Sequence, residues 1–294
     1  MKDWNSVFDG ILTERQFKVN EPMNRHNTYG IGGPADVFVM PQTEDQLKQV
    51  LRRADELHIP VTVIGGGSNS LISDRGIRGI TLCTARMKSS TVRKGNQIIV
   101  TGGAGTGAVS RFAMKEGLSG LEFAAGIPGT LLGAVFMNAN GYGSKFANVV
   151  HSVRTVTRDG RQEKHYTLEE IQYGDSDSVF MHNGDIVLEV VFDLKEGNPE
   201  EIKQPLEKRS AGTMFLRPPG HYVGPMIKGC DLMGFAIGDA QVSTKHPDFV
   251  VNNGKASATD ILAVLHEVQR RVQEKYHVHL PLDVRMMGED FSQE

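Results

Sequence analysis

The chain has 294 residues, 39% hydrophobic and 23% charged, with a formal net charge of −3. That length holds two domains and a sizeable core, and this balance excludes a disordered or fibrous chain. The slight acidic excess argues against a general nucleic-acid binder, and no apolar run approaches the roughly 18 residues of a membrane span.

The first residues carry no apolar segment of the kind that directs secretion. Cys83 and Cys230 lie far apart, in no spacing that holds a metal. Two free thiols fit a reducing compartment, so a cytoplasmic protein without a metal is expected.

Residues 1–20 read as a helical lead-in. Asn24–Asp36 contains Thr28-Tyr29-Gly30-Ile31-Gly32-Gly33-Pro34-Ala35 and reads as a turn before a strand at Asp36–Met40. Thr43-Glu44-Asp45-Gln46 is a capping box, threonine at the N-cap and glutamine three residues on. Leu47, Val50, Leu51, Ala54 and Leu57 then recur at helical spacing, and Pro60 forbids continuation.

Val61-Thr62-Val63-Ile64 is a short β-branched run that reads as a buried strand. The loop Ile64-Gly65-Gly66-Gly67-Ser68-Asn69-Ser70 follows. Three glycines after a strand let backbone N–H groups converge on an anion, and a diphosphate is the anion such loops most often hold. No Gly-Lys-Ser/Thr follows, so this is not a P-loop, and it does not match the dinucleotide fingerprint. By itself the loop is equally compatible with a ligand-free turn.

Residues 98–104 read as a strand, and a helix is expected from Thr106 to Glu116 with Val109, Phe112 and Ala113 inward and Gly117 ending it. A second glycine-rich stretch runs from Ala124 to Gly143 and includes Gly126-Ile127-Pro128-Gly129-Thr130 and Gly133-Ala134. Small residues beside glycines mark backbone packed close to something flat or anionic. Two such stretches about sixty residues apart could cradle one extended cofactor from both sides.

Val153–Thr157 and Glu163–Tyr166 flank Asp159-Gly160, a hairpin signal. Thr167-Leu168-Glu169-Glu170 is a second capping box, and Ile186–Leu194 is strongly β-prone. Glu196-Gly197-Asn198-Pro199 is polar and turn-rich, a domain boundary. Beyond it lies a long helix, capped by Ser257 or Thr259, with Ile261, Val264, Leu265, Val268 and Val272 on one face. Leu280, Leu282, Val284 and Met286 alternate as a final strand. The expected division is 1–197, with sub-lobes of about 1–84 and 85–197, followed by a smaller domain, 198–294.

The two glycine stretches together resemble the flavin-binding segments of the UDP-N-acetylenolpyruvoylglucosamine reductase family, and the likeness extends over roughly residues 20–290. It implies an α+β fold with a two-lobed FAD-binding domain of the vanillyl-alcohol-oxidase type and a smaller α+β substrate-binding domain. It also implies non-covalent FAD held by Ile64, Gly65, Gly66, Gly67, Ser68, Asn69, Ser70, Gly126, Ile127, Pro128, Gly129, Thr130, Gly133 and Ala134. NADPH is the implied reductant, a UDP-sugar the implied substrate, and a monomer is expected. The activity implied is reduction of UDP-N-acetylglucosamine enolpyruvate to UDP-N-acetylmuramate in peptidoglycan synthesis.

The family uses an arginine, a serine and a glutamate for this chemistry. The serine's stretch matches Ser210-Ala211-Gly212-Thr213-Met214-Phe215-Leu216, with Thr213 at the serine and Leu216 where a lysine stands. The arginine's segment aligns on Ser178 and Phe180, which puts Ser176 at the arginine between Asp175 and Asp177. Serine offers a carboxylate no charged fork. The glutamate's setting matches Asp283-Val284-Arg285-Met286-Met287-Gly288, with Asp283 one methylene shorter. By contrast, Ile237–His246 and Phe249–Asn252 agree well with the family. Three readings stay open: a reductase of this family, an FAD-binding paralogue with weak or no activity, and a flavin oxidoreductase with another acceptor.

Overall fold

The computed structural model describes residues 3–141, 144–197, 213–244 and 247–288. In chain order they form a short helix α1 (Trp4–Phe8), strands β1 (Phe17–Pro22) and β2 (Pro34–Val39), and helix α2 (Glu44–Glu56). Strands β3 (Val61–Ile64), β4 (Ser70–Ile72), β5 (Ile77–Cys83), β6 (Ser90–Lys94) and β7 (Gln97–Thr101) follow, then helices α3 (Thr106–Lys115) and α4 (Leu131–Phe136). Next come strands β8 (Val150–Val156), β9 (Glu163–Thr167) and β10 (Ile186–Asp193) and helix α5 (Val223–Gly229). Strands β11 (Ala236–Ile237), β12 (Ala240–Val242) and β13 (Val250–Asn252), helix α6 (Ala258–Tyr276) and strand β14 (Arg285–Met287) complete the order. Shorter turns of helix and strand lie between them.

The chain forms two compact units. One is Met1–Val19, Val37–Gly66 and Gly79–Arg209; the other is Asn20–Asp36, Gly67–Arg78 and Ser210–Glu294. The expected boundary at Glu196–Pro199 runs into residues outside the described set, as do Tyr142-Gly143, Ser210-Ala211-Gly212 and Lys245-His246.

The first unit has two apolar cores. In one, Leu47, Val50, Leu51 and Ala54 of α2 bury against Val37, Val39, Ile80 and Leu82, with Trp4 and Phe8 closing the edge. The strands belong to a sheet of order β1-β2-β5-β3, in which β3 runs parallel to β5 with Val61 opposite Ile80. Thr43 caps α2 as its sequence demands, accepting from the Gln46 amide at 3.2 Å. The other core lies on an antiparallel sheet of order β9-β8-β10-β7-β6. There Val109, Ala113, Leu131 and Val135 of α3 and α4 pack on Ile98, Val100, Val190 and Phe192. Phe146 sits between Phe123, centroids 5.0 Å apart, and Phe192, 6.0 Å apart. Each such buried ring contributes roughly 1.5–3 kcal/mol by area alone. The Asp159-Gly160 hairpin forms with Gly160 at φ 73°, and Thr167 and Glu170 make their reciprocal cap. Arg154 of β8 grips Glu44 of α2 with both terminal nitrogens at 2.9 Å, a fork that joins helix to sheet within the unit.

In the second unit α6 buries Ile261, Val264, Leu265, Val268 and Val272 against Met226, Ile227, Ala240, Val242, Val250, Leu280 and Val284. Ser257, not Thr259, is the cap: its Oγ accepts from the Asp260 amide at 3.0 Å and the Asp260 carboxylate accepts from the Ser257 amide at 3.0 Å. Strands β11, β12 and β13 form a small antiparallel sheet, and β14 runs parallel to β4 with Ser70 opposite Arg285.

Three expectations change. The lead-in is mixed: Trp4–Phe8 is α-helical, Glu14–Gln16 a single 3-10 turn, and Phe17–Pro22 is extended to pair in the sheet. Leu57 is the C-cap of α2 and 47% exposed, outside its inner face. The last strand is three residues, Arg285–Met287, because only those pair with β4; Leu280 and Val284 are buried from irregular backbone. Among the described residues no helix is long and apolar enough to cross a membrane.

Candidate active site

In the first unit, Gly65 and Gly66 leave β3 and meet the second glycine stretch directly. A Cβ on Gly65 would stand 2.4 Å from Thr130 Oγ1, and one on Gly66 would stand 2.7 Å from Gly129 Cα. The absent side chains therefore make room for the Thr130 side chain at Gly65 and for the Gly129 backbone at Gly66. The two stretches expected from the sequence thus lie in direct contact. Ile64 is buried, and its carbonyl accepts from Thr84 Oγ1 at 3.4 Å.

The second stretch is pinned to the start of α3. Thr106 is 1% exposed; its amide donates to the Gly129 carbonyl at 3.2 Å and its hydroxyl donates to the Ile127 carbonyl. The Leu131 amide reaches the Ala104 carbonyl at 2.8 Å. Gly126 ends a short helical turn, Gly133 lies on α4 with Thr130 Oγ1 2.9 Å from where its Cβ would be, and Ala134 is buried. Thr130 precedes α4 as N-cap without using its hydroxyl. Its Oγ1 is buried and has no hydrogen-bond partner among the described residues. A buried hydroxyl without a partner costs about 1–3 kcal/mol.

Ser176 lies on a turn of the same unit. Its φ of 49° is left-handed, and the Gly174 amide donates to the Asp177 carbonyl at 3.0 Å across the turn. This turn is held to the second glycine stretch at three points. Tyr173 OH donates to the Val135 carbonyl at 2.9 Å, Asn138 Nδ2 donates to the Gly174 carbonyl at 2.7 Å, and Ser178 Oγ donates to the Phe136 carbonyl. Burial pushes the Tyr173 phenol well above its ordinary range, so it serves as a fixed donor. Asn138 was not singled out by motif. Its φ of 50° in a glycine-rich run is the signal, since asparagine is the non-glycine residue most at ease there.

In the second unit, Gly67 takes φ 66° and its carbonyl accepts from the Thr28 amide at 3.2 Å. A Cβ there would stand 2.2 Å from the His26 carbonyl, so the loop lies flat on residues 26–28. The Ser68 carbonyl accepts from Thr28 Oγ1 at 3.4 Å. Asn69 Nδ2 donates to the Asp283 carbonyl at 3.0 Å, and the Asn69 carbonyl accepts from the Arg285 amide at 3.2 Å. Ser70 is buried in β4 beside Arg285.

The same unit brings Thr213 to Asp283. Residues 214–216 lie along 281–283: the Asp283 amide donates to the Met214 carbonyl at 3.0 Å and the Leu216 amide to the Pro281 carbonyl at 2.9 Å. The Thr213 hydroxyl then donates to Asp283 Oδ2 at 3.1 Å. Thr213 is exposed and Asp283 half-buried. Tyr29 lies beneath them, 6% exposed, its hydroxyl donating to Met214 Sδ. Burial first, and the charge of Asp283 second, push its phenol well above the ordinary range. Tyr29 sits inside the Thr28–Ala35 stretch, yet nothing local distinguishes it from a core tyrosine. Chemically, the unit offers an exposed hydroxyl beside a carboxylate, the pairing a proton transfer needs.

Two family descriptions match this chain: "FAD binding domain" over residues 35–165 and "UDP-N-acetylenolpyruvoylglucosamine reductase, C-terminal domain" over residues 204–287. The UDP-N-acetylenolpyruvoylglucosamine reductase of Geobacillus thermodenitrificans is 42% identical over 95% of this chain and 96% of its own. UDP-N-acetylenolpyruvoylglucosamine reductase 2 of Bacillus cereus is 41% identical over 99% of both. The crystal structure of the reductase from Thermus caldophilus superposes with a TM-score of 0.76 at 32% identity, covering 92% of this chain and 99% of that one.

Proposed function

The chain belongs to the UDP-N-acetylenolpyruvoylglucosamine reductase family, with the family's FAD-binding fold of the vanillyl-alcohol-oxidase type, and from that membership we propose its reaction. It is an FAD-dependent oxidoreductase that uses NADPH to reduce UDP-N-acetylglucosamine enolpyruvate to UDP-N-acetylmuramate. The step belongs to peptidoglycan synthesis in the cytoplasm, and through it to cell shape and division. The protein acts as a monomer.

The residues present suit FAD. Gly65, Gly66 and Gly129 let two backbone loops approach to van der Waals distance, and the Thr130 hydroxyl is a buried donor awaiting an acceptor such as a diphosphate oxygen. Residues 64–70, 126–130, 133 and 134 hold the cofactor, and the C-terminal part of the chain binds the nucleotide sugar. Bound FAD supplies the hydride; position, charge balance and the proton fall to the chain.

The observation that carries the reading is the Thr213–Asp283 hydrogen bond, tied through Asn69 to the glycine loop. An alcohol alone is a poor acid. For Thr213 Oγ1 to pass its proton to the substrate carbon, Asp283 must enter the step protonated, hand its proton to Oγ1 and end as the carboxylate that accepts from Thr213. Asn69 holds the Asp283 backbone within the second unit.

A second reading is favoured by Ser176. Its left-handed turn carries a short neutral side chain between two carboxylates where the resembled family has an arginine. On that reading the chain binds FAD and a nucleotide sugar with weak or no turnover, or serves another acceptor. Absorbance of the purified protein before and after anaerobic NADPH, then NADPH oxidation with UDP-N-acetylglucosamine enolpyruvate, separates the readings. Flavin bleached by NADPH and reoxidised by that substrate is expected; a rate equal to the substrate-free background ends the reductase reading. NADH in place of NADPH tests the choice of reductant.

A further inference from the structure

We propose that Lys145 supplies the cation for the substrate carboxylate that the Ser176 turn lacks, from the opposite side of that turn. The inference rests on the substrate class proposed above.

The enolpyruvyl group carries a carboxylate, and charge builds on it as the adjacent double bond is reduced, so a fixed cation there stabilises the transition state. Ser176 offers none, and Leu216 replaces a second expected cation. Lys145 Nζ lies 4.0 Å from Asp175 Oδ1, on the residue next to Ser176. Its backbone is placed by the second glycine stretch. Ser144 and Lys145 pair antiparallel with Gly141 and Asn140, two residues past buried Asn138. The Asn138 side chain then joins both sides, accepting from the Ala147 amide at 2.9 Å and donating to the Gly174 carbonyl at 2.7 Å. One buried amide thus sets the strand that carries Lys145 against the turn that carries Ser176.

The Lys145–Asp175 pair is long and open to solvent, the side chains 42% and 78% exposed. Such a pair contributes little, so the ammonium can exchange Asp175 for a substrate carboxylate at small cost. Asp177, on the other side of Ser176, is engaged by His182 at 2.9 Å. An ammonium is a point charge on a flexible stem, which suits a carboxylate that needs charge without the planar fork of arginine.

The test measures binding to the FAD-loaded protein by the change in flavin absorbance, with two probes: UDP-N-acetylglucosamine enolpyruvate and UDP-N-acetylglucosamine, which lacks the carboxylate. Lys145→Met is expected to weaken the first about tenfold and leave the second unchanged, with Lys145→Arg retaining most of the affinity. Asp175→Asn, which frees the ammonium, is expected to tighten the first probe and not the second. Equal effects of Lys145→Met on both probes, or none on either, overturn the assignment. A wild-type protein that binds neither probe overturns the nucleotide-sugar reading and this inference with it, whereas one that binds both without turnover leaves only the reductase reading in error.

Discussion

The hydroxyl of Thr213 donates to Asp283 Oδ2 at 3.1 Å, joining two residues that stand seventy positions apart in the chain. The contact exists because residues 214–216 and 281–283 exchange backbone hydrogen bonds, which leaves Thr213 exposed at the end of the pairing with its side chain over the carboxylate.

If this pair delivers the proton, Thr213→Ala lowers kcat about a hundredfold or more, the usual scale for losing a general acid. Thr213→Ser keeps the hydroxyl, removes a methyl that restricts χ1, and preserves or raises turnover. Asp283→Glu is the companion variant, since it restores the longer side chain and keeps the acceptor. Steady-state NADPH oxidation with the enolpyruvyl nucleotide sugar reads all three, and unchanged turnover in Thr213→Ala removes the residue from the mechanism.

Thr130 allows a prediction with opposite signs in two assays. Its buried hydroxyl has no partner among the described residues. Thr130→Val removes an unsatisfied polar group, so the flavin-free protein gains up to about 1–3 kcal/mol. The same change removes a donor to the cofactor, so FAD affinity falls about tenfold, read by flavin titration. A variant that loses stability without FAD and binds it normally shows the hydroxyl to be structural.

Gly66 faces Gly129 at a separation that no side chain fits. Gly66→Val therefore forces the two glycine stretches apart and costs about 1–3 kcal/mol or more through overpacking. The expected result is a lower melting temperature and a preparation with little flavin. A variant of normal stability that fails only to bind FAD points instead to a ligand occupying this space.

Glu267 on α6 is bracketed by Arg270 and Arg271, whose hydrogen bonds pull its carboxyl from the ordinary 4.5 down to about 2. A folded value below the unfolded one means the stabilisation is complete above the ordinary value and is lost as pH falls through about 2. The Arg270 and Arg271 side chains are 53% and 36% exposed, so the contribution is small and weakens with salt. Melting temperatures from neutral pH down into the acid range should show wild type above Glu267→Gln at neutral pH, the difference vanishing at the acid end. A constant difference across that range excludes the ion pairs as its source.

Much of the local structure was legible in the chain itself. Thr43 and Thr167 announce helix starts because a short polar side chain three residues before a glutamine or carboxylate satisfies backbone amides within one turn, whereas the choice of Ser257 over Thr259 came from the structure. Asp159-Gly160 announces its hairpin because glycine accepts the positive φ that the turn imposes. The spacing of Leu47, Val50, Leu51 and Ala54 defines the buried face of α2 for the same reason of short range. The two glycine stretches were readable as close-packed backbone, and with them the resemblance that implied FAD.

Tertiary structure decided what those stretches touch. The space beside Gly66 belongs to Gly129, not to open solvent, and no local pattern tells one occupant from the other. Ser176 lies against the second stretch because Tyr173, Asn138 and Ser178 find carbonyl partners across it, contacts that span up to 42 residues. Lys145 meets Asp175, and Thr213 meets Asp283, through register between distant backbone segments. Such register follows from which apolar faces bury together and which backbone groups are left to pair, and those are properties of the packed chain rather than of any window of its sequence.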